Sequence, residues 1–321
     1  WFETLYEKEY QGCQLLIAGV EDERGLCVIL PLISDEETQD GGAAVSHWRS
    51  LSHRYSALFD LILSERADDE HLDCLAHGLS ERSIHSIRLS PVAEQDDSLS
   101  RLEVAMCRYG YHGQRHFAFY NWIHLTEGQC YRDYLAQRPS RLRNTVARKR
   151  RKLEREYDCK LRMYRRADVE QALADYHAAY SSSWKAFEQY ASLLDGVAIA
   201  MSERDWTRLA VLYIDGAPAA AQLWFVVNGK ASIFRLAYDE DWKQYSPGSI
   251  LTAFLMQYVI DEDNVEEIDF LTGNEGYKQD WMTHRRQRMR MVLVKEADKN
   301  RPEATLTRLY KMVSRKLFAL T

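Results

Sequence analysis

Residues 208–241, RLAVLYIDGAPAAAQLWFVVNGKASIFRLAYDED, decide the architecture. Runs rich in Val, Ile, Leu and aromatic residues are punctuated by Asp215-Gly216 and Asn228-Gly229. These dipeptides supply positive φ at both central positions of a type I′ turn, so the stretch reads as a three-stranded antiparallel meander. Downstream come YSPGS at 245–249, a helical run from Ile250 to Ile260, a strand at 267–271, a turn and short helix in GNEGYKQDW (273–281), and a strand at 288–294 that alternates charged and apolar residues. Upstream, residues 160–164 read as a strand and residues 168–180 as a capped helix. The order is strand, helices, meander, glycine-bearing loop, helix, strand, helix, strand, an α/β (α+β) pattern.

The loop before the helix is chemically specific. A helix starting near Ser249 presents free backbone N–H groups and the positive end of its dipole, where a phosphate is stabilised. Gly248 allows close backbone approach, Pro247 fixes φ and gives up an N–H the helix entry does not need, and Ser246 and Ser249 add hydroxyl donors. The same residues also suit a plain loop-to-helix junction.

The run Asp215-Gly216, Tyr245-Ser246-Pro247-Gly248, Ile268-Asp269-Phe270, Gly273, Tyr277-Lys278 and Trp281 resembles the CelD-like acetyltransferase domain family associated with cellulose biosynthesis. That family is similar to the FemAB peptidoglycan transferases, and both have the GNAT fold. The resemblance covers residues 158–295 and implies a tandem GNAT-like acyl-CoA N-acyltransferase fold with two mixed sheets. It implies acyl-CoA (acetyl-CoA) as co-substrate, gripped at its pyrophosphate by Gln244, Tyr245, Ser246, Pro247, Gly248 and Ser249, although commoner GNAT loops carry more glycines. It further implies Tyr277 as the acid that protonates the leaving thiolate and Lys278 as a stabiliser of developing negative charge. A packing tyrosine and a surface lysine are the plain alternatives. Strand alternation turns Asp269 away from Ile268 and Phe270, into the cleft as a general base whose pKa burial raises, or else onto the next loop as a structural carboxylate. Glu275 is a second candidate base, and Gly273 and Asn274 shape the cleft.

Residues 1–137 repeat this order in divergent form: a hairpin around residues 21–25, a third strand-like segment at 56–63, a helix at 69–80, a strand at 84–89, a helix at 98–108 and a strand at 116–124. The corresponding loop, residues 64–71, has four acidic residues and no glycine, so it would repel a phosphate. The expected division is a divergent GNAT-like module without a cofactor loop at 1–137, a basic linking helix at 138–157, and the acyltransferase module at 158–321. An amphipathic basic helix at 305–320 ends the chain.

The formal net charge of −6 conceals a segregation. Residues 1–137 hold 11 basic and 23 acidic residues, whereas residues 138–166 hold 13 and 3. Leu142, Val146, Leu153 and Tyr157 recur at helical spacing inside the basic block, so it reads as an amphipathic helix. Its basic face either is simply solvated or meets a polyanion: tRNA, a nucleotide sugar, anionic lipid or the phosphates of coenzyme A. Arg141, Arg143 and Arg148 are the candidate contacts, because guanidinium forks suit phosphate.

The 321 residues are 46 % hydrophobic and 28 % charged, a globular balance, and the longest apolar stretch falls short of the roughly 20 residues a membrane span needs. The opening WFETLYEKEY lacks the basic start and apolar run of a secretory signal, and six scattered cysteines form no C-x-x-C pair, so a cytoplasmic location is expected. His112 and His116 lie in a strand-like, aromatic segment and read as surface histidines. No Ser-His-Asp order, phosphate-binding P-loop or metal-ligand cluster is evident, and no metal is expected. The expected function is transfer of an acyl group to a small-molecule amine, a precursor of a cell-surface polysaccharide, lipid or peptidoglycan. A FemAB-type transferase using aminoacyl-tRNA and a non-catalytic binding module of a biosynthetic complex are the alternatives.

Overall fold

The computed structural model describes residues 1–35, 38–40, 43–185 and 188–296; the expected helix at 305–320 lies outside them. The chain opens with α1 (Phe2–Leu5), the hairpin β1 (Leu15–Asp22) and β2 (Gly25–Ser34), then β3 (Thr38–Asp40), β4 (Ala43–Ser50) and β5 (Ile62–Leu63). It continues through α2 (Asp69–Ser80), β6 (Ile84–Ala93), α3 (Asp97–Arg108), the long β7 (Tyr111–Leu125), α4 (Tyr131–Ala136) and the basic helix α5 (Ser140–Glu156). The second half runs β8 (Cys159–Tyr164), α6 (Asp168–Ser181), α7 (Ala191–Glu203), then the meander β9 (Thr207–Ile214), β10 (Ala217–Val227) and β11 (Lys230–Tyr238). A 3-10 turn (Glu240–Tyr245), α8 (Pro247–Asp261), β12 (Glu267–Thr272), α9 (Lys278–Trp281) and β13 (His284–Lys295) complete it.

Both meander turns form as expected, with positive φ at Asp215, Gly216, Asn228 and Gly229. Along β9 the side chains alternate between two helical layers: Ala210 and Leu212 pack in the cluster of α5 and α8, Leu209 and Val211 in that of α6 and α7. Helix α6 begins without the expected cap: it opens at Ala167 with no side-chain cap, and Asp168 falls in its first turn. In the first half, the strand expected at 56–63 shrinks to Ile62–Leu63, and β4 takes the place beside β2 and β6. Phe59 and Leu61 are buried from an irregular segment, so the apolar pattern there reported burial rather than pairing.

The two expected sheets are one mixed 13-stranded sheet, ordered β1-β2-β4-β6-β13-β7-β12-β11-β10-β9-β8, with β3 beside β4 and β5 beside β2. They fuse because their last strands are exchanged. β7 is wedged antiparallel between β12 and β13, and β13 lies between β6 and β7. Met291 and Leu293 of β13 therefore complete the core built by Leu30, Ile87 and Leu89. Among the described residues no helix is long and apolar enough to cross a membrane.

Candidate active site

The site begins at a fork in the sheet. The parallel strands β11 and β12 pair only through Lys230, Ala231 and Ser232 against Glu267, Ile268 and Asp269, then part. Asp269 drives the divergence. Its carboxylate accepts from the Leu271 N–H (2.6 Å), the Asn121 Nδ2 of β7 (2.5 Å) and the Arg286 Nη2 of β13 (2.7 Å), which draws β12 toward β7 and turns Leu271 to a φ of +51°. Asp269 is thus a buried structural carboxylate, 2 % exposed, and does not point into the cleft as expected of a general base. Its three charge-assisted bonds supply the physical reason.

A cavity of about 790 Å³ fills the fork. Leu236 and Tyr238 on one strand, and Phe270 and Thr272 on the other, line it. The fork leaves strand carbonyls without ladder partners, and a lysine serves each lip. Lys278 Nζ donates to the Phe270 carbonyl (3.0 Å) and the Thr272 carbonyl (2.5 Å), and Lys185 Nζ donates to the Leu236 carbonyl. Lys278 also pairs with Glu275 at 3.0 Å, so its three N–H groups are spent on the fork and on that carboxylate.

The first turn of α8 closes one end. Ser246 takes a left-handed φ of 54° and Pro247 occupies the first helical turn, as expected; neither Ser246 nor any other side chain caps the helix. Gly248 and Ser249 face the cavity. A Cβ on Gly248 would lie 3.1 Å from the Tyr238 ring, so the glycine lets α8 approach β11 there. Buried Gln222 fixes this turn: its Nε2 donates to the Gly248 carbonyl (3.0 Å) and to Thr252 Oγ1 (2.8 Å), while its Oε1 accepts from the Trp224 indole (2.9 Å). Gln244, Tyr245 and Ser246 are not in the lining. Gln244 and Tyr245 instead hold α5: Lys149 donates to the Gln244 carbonyl, Lys152 lies 4.8 Å from the Tyr245 ring, and the Tyr245 hydroxyl donates to Glu156 (2.7 Å). Of the residues expected to grip the pyrophosphate, Gly248 and Ser249 line the cavity, while Gln244 and Tyr245 contact α5. Of the three arginines expected to contact phosphate, Arg141 lines the cavity, while Arg143 and Arg148 are exposed outside it.

Tyr277, Lys278 and Glu275 converge on the cavity as the sequence suggested, joined by Asp280. Tyr277 is half exposed, and burial of part of its ring, with the nearby Glu275 charge, pushes its phenol up to about 12. It is therefore protonated at neutral pH. Gly273 and Asn274 act on the loop: a Cβ on Gly273, at φ +118°, would overlap the Glu275 carboxylate, and Asn274 Oδ1 accepts from the Trp122 indole at 2.9 Å.

The other end of the cavity escaped the sequence reading. Arg54 and Tyr55 arrive from the loop between β4 and β5, Trp184 and Lys185 from the segment after α6, and Arg235 from β11. The Tyr55 hydroxyl donates to buried Glu188, a bond that joins the two halves of the chain. A guanidinium in the otherwise apolar run SIFRLAY was the only available signal; the loop residues carry no period or motif.

In the first half, the carboxylate of Asp68 occupies the corresponding helix start, accepting from the N–H groups of Glu70 and His71. Asp22, Cys27 and His71 bring potential metal-ligand atoms within 4.8 Å of one another, a grouping the sequence did not suggest. The Arg66 guanidinium already binds Asp22 (3.2 Å) and lies 3.7 Å from Cys27 Sγ, which disfavours a cation there.

Residues 140–279 match the family described as Acetyltransferase (GNAT) domain. No curated protein matches the chain in sequence. Among solved structures the chain is similar to FemX (TM-score 0.62, 10 % identity, 91 % of this chain and 90 % of that one). It is also similar to L-PGS from Bacillus licheniformis (TM-score 0.55, 11 % identity, 98 % and 94 %). A conserved protein of unknown function from Bacteroides thetaiotaomicron VPI-5482 gives a TM-score of 0.59 at 12 % identity over 92 % and 89 %. At these identities the likeness concerns the fold, which extends over both halves.

Proposed function

We propose that the protein is an acyl-CoA-dependent N-acyltransferase that modifies a small-molecule amine. The observation that carries the reading is the fork itself: one cavity joins the first turn of α8 at Gly248 to Tyr277 at the start of α9. The residues fit the donor. Gly248 and Ser249 present a helix start without a side-chain cap, and Arg141 adds a cation to the same lining. Acyl-CoA would supply an acyl group activated as a thioester.

The chain's own residues supply position and proton. The fork would hold donor and acceptor side by side in one cleft, which contributes much of the barrier reduction. Tyr277, protonated at neutral pH, donates its proton to the departing sulfur. Lys278, with its N–H groups spent, fixes the Glu275 loop and the lip of the fork. With Asp269 sequestered, Glu275 and Asp280 remain as carboxylates able to take a proton from the acceptor. A cytoplasmic setting, where acyl-CoA is made, and a cell-surface precursor as acceptor complete the proposal; the latter rests on the resemblance to CelD-like proteins.

A second reading has one observation in its favour. Arg143, Arg148, Arg150 and Arg151 on α5 lie outside the cavity, with Arg143, Arg148 and Arg151 free of carboxylate partners among the described residues. A FemAB-type enzyme would use such a face for aminoacyl-tRNA.

Calorimetry with acetyl-CoA on the wild type and Gly248→Asp tests the first reading. Binding by the wild type, weakened at least tenfold in a variant with an unchanged melting temperature, is expected. No binding by the wild type, together with salt-sensitive tRNA binding lost on reversing Arg143 and Arg148, would replace it with the second.

A further inference from the structure

The end of the cavity remote from Gly248 holds more positive charge than the described residues neutralise. Arg235 lies three residues, about 10 Å, along β11 from Tyr238, the ring that packs on Gly248. Its guanidinium stacks 3.6 Å from the centre of the Tyr55 ring, and its Nε lies 3.4 Å from the Glu188 carboxylate. Neither that Nε nor Glu188 Oε2 has a hydrogen-bond partner, although both are buried. Among the described residues the Arg235 guanidinium has Glu188 as its only carboxylate partner, and Glu188, 5 % exposed, is already engaged by Tyr55. The Arg235 side chain is 23 % exposed with its Nε unbonded, so an anion reaching it from the cavity would gain a charge-assisted partner.

Its neighbours add to the field. Lys185 spends one N–H on the Leu236 carbonyl, and burial and Arg235 draw its ammonium down to about 8. Arg54, at the rim, has no carboxylate partner among the described residues and rests near the Tyr190 ring. His53 behind them is pushed to about 4 by burial and by Arg54, Arg235 and Arg49, which reports a locally positive potential. Lys278, by contrast, is neutralised by Glu275, and Arg141 comes from α5.

We infer that Tyr55, Lys185 and Arg235, with Arg54 at the rim, form an anion subsite, so that the acceptor amine carries a carboxylate or a phosphate. A planar oxyanion would take paired N–H groups from Arg235 while the Tyr55 ring and Glu188 hold that guanidinium in place. Assigning the subsite to the acceptor rests on the acyltransfer reading; the subsite itself does not.

Calorimetry distinguishes the two. With acetyl-CoA at saturation, glucosamine 6-phosphate is compared with glucosamine, and alanine with alaninamide; inorganic phosphate is titrated into the free protein. At least one anionic member should bind tenfold or more tightly than its neutral counterpart, and the better pair tells phosphate from carboxylate. Arg235→Gln should remove the preference and leave the acetyl-CoA affinity unchanged. Because that change strands Glu188, Lys185→Met serves as a second variant and should weaken the preference at least threefold. Equal binding of charged and neutral members, no binding by any anion, or an undiminished preference in both variants overturns the inference. Failure of acetyl-CoA alone to bind sinks the donor reading, while loss of inorganic phosphate binding in Arg235→Gln would still uphold the subsite.

Discussion

Tyr277 and Asp269 sit eight residues apart in the chain and invite opposite tests. The Tyr277 hydroxyl makes no hydrogen bond to the protein among the described residues and its ring is half exposed, so Tyr277→Phe should leave the melting temperature unchanged. If the phenol delivers the proton to sulfur, kcat for thiol release falls roughly 10²-fold with acetyl-CoA affinity intact. Asp269→Asn should do the reverse. It removes the charge that Arg286 and the Leu271 N–H converge on, in a site with no solvent to compensate, and should cost about 3 kcal/mol of stability. Turnover per folded molecule should stay within about threefold, whereas loss of a true general base would cost about 10²-fold or more; that larger loss would reinstate Asp269 as catalytic. Alternation along IleAspPhe gave the correct facing of Asp269 relative to its neighbours, but not what it faces: Asn121 and Arg286 come from strands that no local pattern brings there. Lys185 sets a pH limit. Its neighbours are Arg235, Glu188, Tyr180 and Trp184, and its ammonium is charged below about 8. Phosphate affinity of the wild type relative to Lys185→Met, a ratio in which the ionisation of phosphate itself cancels, should therefore hold between about pH 6 and pH 7 and fall as pH rises through about 8.

Helix α8 shows why the element is more informative than its residues. Pro247, Gly248 and the following apolar run predict a helix start at the right place, and its position after the meander predicts its partner strands. The sequence could not reveal that Gln222, two strands back, would hold the first turn by its carbonyl and the Thr252 hydroxyl. Gln222→Leu leaves the Trp224 indole N–H buried without an acceptor and frees the helix start; about 2 kcal/mol of stability should be lost. Acetyl-CoA affinity should drop as well, since an anion site made of backbone N–H groups depends on their fixed position; unchanged affinity would mean that the turn holds its shape through Tyr238 packing alone. The basic helix α5 follows the same logic. Its apolar period was readable and its burial follows it, with Leu142, Val146 and Leu153 inward. What the period hides is that residues 149, 152 and 156 fasten the helix to Gln244 and Tyr245, so residues expected to bind the donor position α5 beside it.

At the scale of the molecule, the tandem repeat is legible in each half's order of elements, but the exchange that joins them is not. Turns and amphipathic periods act over a few residues, whereas β7 and β13 find each other across more than 150 positions, and alternation alone fits a strand into either sheet. The exchange has a mechanical consequence. From His284 to Lys295, β13 pairs with β7, and the same strand supplies Met291 and Leu293 to the first half's core. β7 in turn contributes Asn121 to the pinning of Asp269 at the fork. Neither half can bury its core or shape the site without a strand of the other. A chain cut between Gln137 and Arg138 should therefore give two fragments that aggregate or stay molten when made separately, because each leaves a long sheet gap and apolar surface open. Made together, they should copurify, melt in one cooperative transition and regain acetyl-CoA affinity. Cooperative melting of the fragment from Arg138 onward on its own, with acetyl-CoA bound, would show that the second half needs no borrowed strand, and the tandem arrangement would then serve the acceptor rather than the fold.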